Sequence, residues 1–115
     1  MLQQVNRFHG HNSLKFVYRN GESVRGSLMT IKYVSNPRRK NSRFAVVVSK
    51  KILKSAVGRN RIRRRIYEIV RLEKDKLKGS QDIIFIIASA EIANMPYSEL
   101  LTVVKHLLSQ ANLYK

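Results

Sequence analysis

Between residues 59 and 65 the chain reads Arg-Asn-Arg-Ile-Arg-Arg-Arg, five arginines in seven positions. Isoleucines punctuate and follow the run: Ile62, Ile66 and Ile69, with Val70 and Leu77, lie on one side of a 3.6-residue wheel. The spacing predicts a helix starting between residues 56 and 60 and ending near residue 78, just before Gly79. Its apolar side must be buried on another element, and its opposite side must carry cations. On the wheel Arg61, Arg64, Glu68 and Arg71 form an outward stripe, with Arg63 and Arg65 on its flanks. Arg61 neighbours Arg64 and Arg65 and repels both, and the first turn of a helix disfavours positive charge. The arrangement costs the free protein about 1 kcal/mol. Such a cost points to a partner that supplies negative charge. Arg61 and Arg64 are expected to serve that partner only, so that replacing them with Ala leaves the fold intact or slightly stabler by removing their mutual repulsion.

The rest of the charge agrees. Residues 1–72 hold 18 basic and 2 acidic side chains, residues 73–115 hold 5 of each, and the whole chain of 115 residues is at +16. A domain so unbalanced repels itself, and a polyanion relieves it. Nucleic acid is the leading candidate, ahead of an anionic membrane. The arginine helix has no Trp, Phe or Leu in its first turns, and its apolar side is needed elsewhere, which argues against a membrane-surface helix. The hydrophobic share, 43%, is that of a folded domain and not of a disordered basic tail. There is no cysteine, so disulfides and thiolate metal sites are excluded, in keeping with a reducing compartment. The longest apolar run, Ile83–Ala88, is far below the roughly 18 residues of a membrane span. Met1 to Phe8 has no apolar signal region, so no secretory leader is expected.

The remaining elements follow from periodicity. Leu14, Val17 and Tyr18 fall at i, i+3 and i+4, giving a short helix from Ser13 to Asn20 stopped by Asn20-Gly21. Residues 24–35 alternate as one strand. Asn36 to Ser42 is a loop with Arg38, Arg39 and Lys40 at its tip. Arg43–Ser49 is a second strand with two unlike faces. Phe44, Val46 and Val48 suit a core, whereas Ala45, Val47 and Ser49 form a small-residue face running into Lys51. Ile83–Ala88 reads as a strand covered on both sides. Pro96 opens a last helix with an apolar stripe of Leu100, Val103, Val104, Leu107, Leu108 and Ala111. The expected order is α-β-β-α-β-α, a single α+β domain over residues 1–115.

Catalytic equipment is missing from this reading. His9 and His11 lie in the irregular N-terminus, His106 beside the last helix's apolar stripe, and the seven acids form no cluster. Gly58 alone does not make a phosphate-binding loop. Duplex DNA binding would want a helix–turn–helix pair, and here a strand follows the basic helix.

The segment Val48-Ser49-Lys50-Lys51-Ile52, followed by Ala56-Val57-Gly58-Arg59-Asn60-Arg61-Ile62-Arg63-Arg64, resembles the protein component of bacterial ribonuclease P. The likeness extends to Arg7-Phe8, to Leu14–Gly21, to Asp82–Ala88 and to Leu113-Tyr114-Lys115. It implies a cytoplasmic subunit that binds a catalytic RNA and the 5′ leader of precursor transfer RNA. The RNA would hold the catalytic Mg²⁺, the protein no cofactor of its own, and neither DNA nor membrane would be a partner. It also implies a ribosomal protein S5 domain 2-like fold with a left-handed strand–helix–strand crossover, against the usual right-handed rule. The alternative is a ribosomal or other structural RNA-binding protein.

By the same resemblance, Arg59, Asn60, Arg61, Arg63 and Arg64, with Arg65 and Lys54, would meet the RNA subunit. Leu14, Phe16 and Tyr18 on the first helix, Ala45, Val47 and Ser49 on the strand, and Lys50 and Lys51 after it would form a leader cleft. Lys32 or Tyr33 would supply its wall. Three positions depart from the family pattern. Leu14 replaces an aromatic residue, Tyr67 an arginine, and the spacer Leu53-Lys54-Ser55 is one residue longer.

Overall fold

The computed structural model describes residues 6–7, 11–37 and 41–115. Phe8, His9 and the loop-tip cations Arg38, Arg39 and Lys40 lie outside the described residues. The elements are α1 (His11–Asn20), β1 (Glu22–Arg25), β2 (Met29–Ser35), β3 (Arg43–Val47), α2 (Ala56–Glu73), β4 (Gln81–Ile87) and α3 (Tyr97–Gln110). Short 3₁₀ turns occupy Lys74–Lys76 and Ala90–Ala93.

The strand expected over residues 24–35 is two strands. Gly26 N–H donates to the Met29 carbonyl at 2.9 Å and closes a hairpin between them. A Cβ on Gly26 would stand 2.9 Å from that same carbonyl oxygen, so the tight turn requires glycine. The sheet therefore has four strands in the order β1-β2-β4-β3. β1 and β2 are antiparallel, as are β2 and β4, whereas β3 and β4 run parallel and are joined through α2. β4 is central, which is why its apolar run is continuous: Ile83, Phe85 and Ile87 enter one core and Ile84 the other.

α2 and α3 cover one face. Ile62, Ile66, Ile69 and Val70 from α2 meet Leu100, Val104, Leu107 and Leu108 from α3 over Phe44, Val46 and Phe85. On the other face α1 lies over a smaller cluster of Val17, Ala45 and Ile84. The result is three layers.

Several ends differ from the periodicity. β3 stops at Val47, because the Ser49 carbonyl accepts from Ile52 N–H (3.1 Å) and Leu53 N–H (3.3 Å) to begin a turn. α2 stops at Glu73 and not near residue 78. The chain tightens to 3₁₀ and extends at Leu77, which pairs as a bridge with Tyr114 and is thereby buried. α3 ends with Asn112 in the left-handed conformation (φ 58°), Asn112 N–H on the Ser109 carbonyl and Leu113 N–H on that of Leu108. That stop folds Leu113 back into the core and carries Tyr114 to Leu77.

Candidate nucleic-acid interface

The basic helix is set by local chemistry. Ser55 caps α2, its hydroxyl accepting from Gly58 N–H at 3.1 Å. Arg59 reaches back to the carbonyls of Leu53 (3.0 Å) and Lys54 (2.7 Å), so it clamps the longer spacer onto the first turn. Lys50, Lys51 and Lys54 are exposed along this approach to α2.

The arginines divide into two groups. Arg61 Nε donates to the Ala93 carbonyl at 2.7 Å. Arg65 donates to the carbonyl of Ile92 at 2.6 Å and to that of Met95. These two hold the 3₁₀ turn before α3 against α2. The expectation that Arg61 serves only an external partner is therefore corrected: one edge of its guanidinium is structural. On the other flank Arg63 donates to the Asn60 side-chain carbonyl at 2.8 Å, and Arg64 is exposed. Glu68, its carboxyl held below the usual range chiefly by a hydrogen bond from Arg71, answers Arg71 and not Arg63 or Arg64. Arg63, Arg64, Asn60, Val57 and Tyr67 line a groove of about 480 Å³ whose far wall is Arg7, bridged to Phe44 on the outer edge of β3.

The second candidate region is the α1 side of the sheet. Val17, fully buried between Ala45 and Ile84, anchors α1; Leu14, Val34, Val47 and Ile86 are half-buried around it. Ala45 is itself buried, so the open part of the small-residue face is Val47 and, past the strand's end, Ser49, Lys50 and Lys51. Tyr18 is 39% exposed and Phe16 52% exposed, so neither is core. Lys32 belongs to this face. Its ammonium stands 5.4 Å from the centre of the Tyr18 ring and 3.4 Å from the Tyr18 carbonyl. Tyr33 does not: it packs on the α2–α3 core and sits opposite Glu22, and burial and then the Glu22 carboxylate raise its hydroxyl pKa. The choice between Lys32 and Tyr33 falls to Lys32, because strand alternation puts the two on opposite faces.

Sequence reasoning missed two features. Arg43 and Asp82 form a buried pair (3.0 and 2.8 Å), and the Asn36 amide donates to the same carboxylate at 3.0 Å. Parallel register places Arg43 and Asp82 opposite each other across 39 positions, which no local pattern reveals. The Arg7 wall was missed because its partner is a strand edge.

A half-open three-layer α+β fold with a cationic helix flank and a cationic, partly aromatic sheet face defines a small RNA-binding protein. The family model described as Ribonuclease P matches residues 2–112. Among curated relatives, the ribonuclease P protein components of Clostridium kluyveri and Alkaliphilus metalliredigens are 38% and 32% identical, covering 96% and 97% of this chain and 98% of each relative. A solved structure of the Staphylococcus aureus RNase P protein superposes with a TM-score of 0.85 at 25% identity, over 96% of this chain and 98% of that one. The chain belongs to the family of bacterial ribonuclease P protein components. It functions in transfer RNA 5′ processing as part of a ribonucleoprotein endoribonuclease.

Proposed function

We propose that α2 binds the catalytic RNA subunit and that the trough beside α1 binds the 5′ leader of precursor transfer RNA. The observation that carries the reading is the flank of α2, where Arg63 and Arg64 have no carboxylate partner among the described residues and exposed Lys50, Lys51 and Lys54 extend the charge. Arginine's planar fork suits phosphate, and the donors that Arg59, Arg61 and Arg65 do not spend on carbonyls remain for the same use. In the trough, the exposed Tyr18 ring offers a stacking surface, Lys32 lies against it, and Lys50 and Lys51 take phosphates at the end of β3. The protein's part is binding and orientation. The RNA carries the Mg²⁺ and the phosphodiester chemistry, and the assembly works in the cytoplasm.

The test is reconstitution. RNA-free protein with Mg²⁺ releases no leader, and adding the RNA subunit restores specific cleavage. In that holoenzyme Tyr18→Ala weakens precursor with a several-nucleotide leader by about ten-fold and leaves mature transfer RNA unchanged, since one stacked base is worth ~1–3 kcal/mol. Cleavage by the protein alone would overturn the division of labour. Equal losses for both RNAs would remove Tyr18 from the leader site.

A further inference from the structure

The groove between α2 and Arg7 has a lining that phosphate binding does not explain. Val57, Asn60, Arg64 and Tyr67 recur at helical spacing along one stripe of α2, with Arg63 beside them. Val57 is 75% exposed, the most exposed large apolar side chain among the described residues, and it sits amid arginines. Tyr67 is half-buried and packs one side on the core, so its ring is held in place where it meets the groove. Across from it, the Nε of Arg7 is buried with no hydrogen-bond partner among the described residues. A run of phosphates needs only the arginines. A duplex laid on this flank would leave the valine and the tyrosine ring uncovered, because paired bases show it no face.

We propose that the groove receives one unpaired nucleotide of RNA: its base stacks against Tyr67 and Val57, and its phosphates meet Arg63, Arg64 and Arg7. The volume, about 480 Å³, lies in the range of small-ligand sites and well below that of a duplex segment. Asn60 lines the groove and gives its side-chain oxygen to Arg63, while its N–H₂ has no hydrogen-bond partner among the described residues and is available as a donor for a base-edge oxygen or ring nitrogen. A base drawn out of a strand loses stacking on its neighbours, and an aromatic face with an apolar flank replaces it. This inference rests on the proposal that α2 faces RNA and adds to it a single-nucleotide socket. The nucleotide could come from the RNA subunit or from the precursor, and the experiment separates them.

The chain has no cysteine, so Ala56→Cys, beside the groove but outside its lining, gives one attachment point for an aryl-azide photocrosslinker. Ala56 is exposed at the start of α2, and its replacement does not threaten the fold. The labelled protein is assembled with the RNA subunit, with and without precursor, and crosslinks are mapped by primer extension. One dominant crosslink to an unpaired nucleotide is expected; the strand that carries it identifies the source. Tyr67→Leu, which keeps the core packing, weakens that RNA by about ten-fold, whereas Tyr67→Phe keeps the ring and stays near wild type. Making the crosslinked nucleotide abasic abolishes the difference between the wild type and the Tyr67→Leu variant. Crosslinks confined to paired nucleotides, or equal affinity for Tyr67→Leu in a holoenzyme that assembles and cleaves, overturn the socket while leaving the RNA interface standing. Failure of the wild-type protein to bind the RNA subunit would instead overturn the interface itself.

Discussion

Arg61 and Ala93 are joined across 32 residues by a hydrogen bond of 2.7 Å from the guanidinium Nε to the backbone carbonyl. Further along the same helix, Arg64 is exposed. The two arginines therefore have different dependents. Arg61→Ala lowers stability by about 1 kcal/mol, below the roughly 1.5–3 kcal/mol of a hydrogen bond involving a charged group, because the site is partly exposed. Arg64→Ala leaves the melting temperature near wild type. For either residue, removing one phosphate neutralisation flattens log K against log salt by roughly 0.7–0.9. Thermal melts with RNA titrations at several salt concentrations check this. Equal melting temperatures for the two variants would show that the Ala93 hydrogen bond contributes nothing.

Gly21 ends α1 where the helix comes down on β2. A Cβ there would stand 2.6 Å from the Val17 carbonyl oxygen and 2.8 Å from that of Tyr33, both backbone atoms with little freedom to move. Gly21→Ala costs about 1–3 kcal/mol through overpacking. Urea denaturation reads the loss. Because the strain falls on α1, leader binding should suffer more than binding of the RNA subunit.

The Arg43–Asp82 pair is nearly buried, with side chains 13% and 3% exposed. Asp82→Ala takes the buried carboxylate away from Arg43 and from the Asn36 amide and costs about 3–5 kcal/mol. Replacing both charged partners, Arg43→Met with Asp82→Leu, recovers most of that loss, since no charge is left unpaired. A double variant as unstable as the single one would mean that shape, and not charge, governs the site.

Tyr114 donates to Glu73 at 2.9 Å, and Lys76 donates to the other carboxylate oxygen at 3.1 Å. Burial first, then the hydrogen bond to Glu73 and its charge, raise the Tyr114 hydroxyl well above its ordinary value of 10.0. A raised folded pKa contributes stability that is complete below about pH 10 and is lost as pH climbs above it. Tyr114→Phe is less stable than wild type at neutral pH, and the gap narrows above about pH 10. For Glu73, burial pushes the carboxyl up, but the Tyr114 hydroxyl, Lys76 and the charge of Lys105 outweigh it and leave it below 4.5. Its contribution is present above about pH 4.5 and fades as pH falls through the lowered value. Melting temperature against pH for both proteins tests the signs. A constant gap across the alkaline range would break the linkage.

What the sequence alone determined is what short-range periodicity encodes. The isoleucine stripe of α2 and the leucine–valine stripe of α3 are core in the structure, and the Ile83–Ala88 run is a central strand, because each pattern is a direct record of which side must leave water. The concentration of cations before residue 73 and the Val48–Arg64 segment carried the family. The tertiary structure decided the rest, through contacts no window contains. Strand alternation chose Lys32 over Tyr33 only once the partner of each face was known. Gly26 split one expected strand because the hairpin closes on Met29. Arg61 and Arg65 each commit part of their guanidinium to Ile92, Ala93 and Met95 because the turn before α3 packs on α2. A backbone carbonyl so distant in the chain has no side-chain identity to read, and only the folded chain shows which arginine meets it.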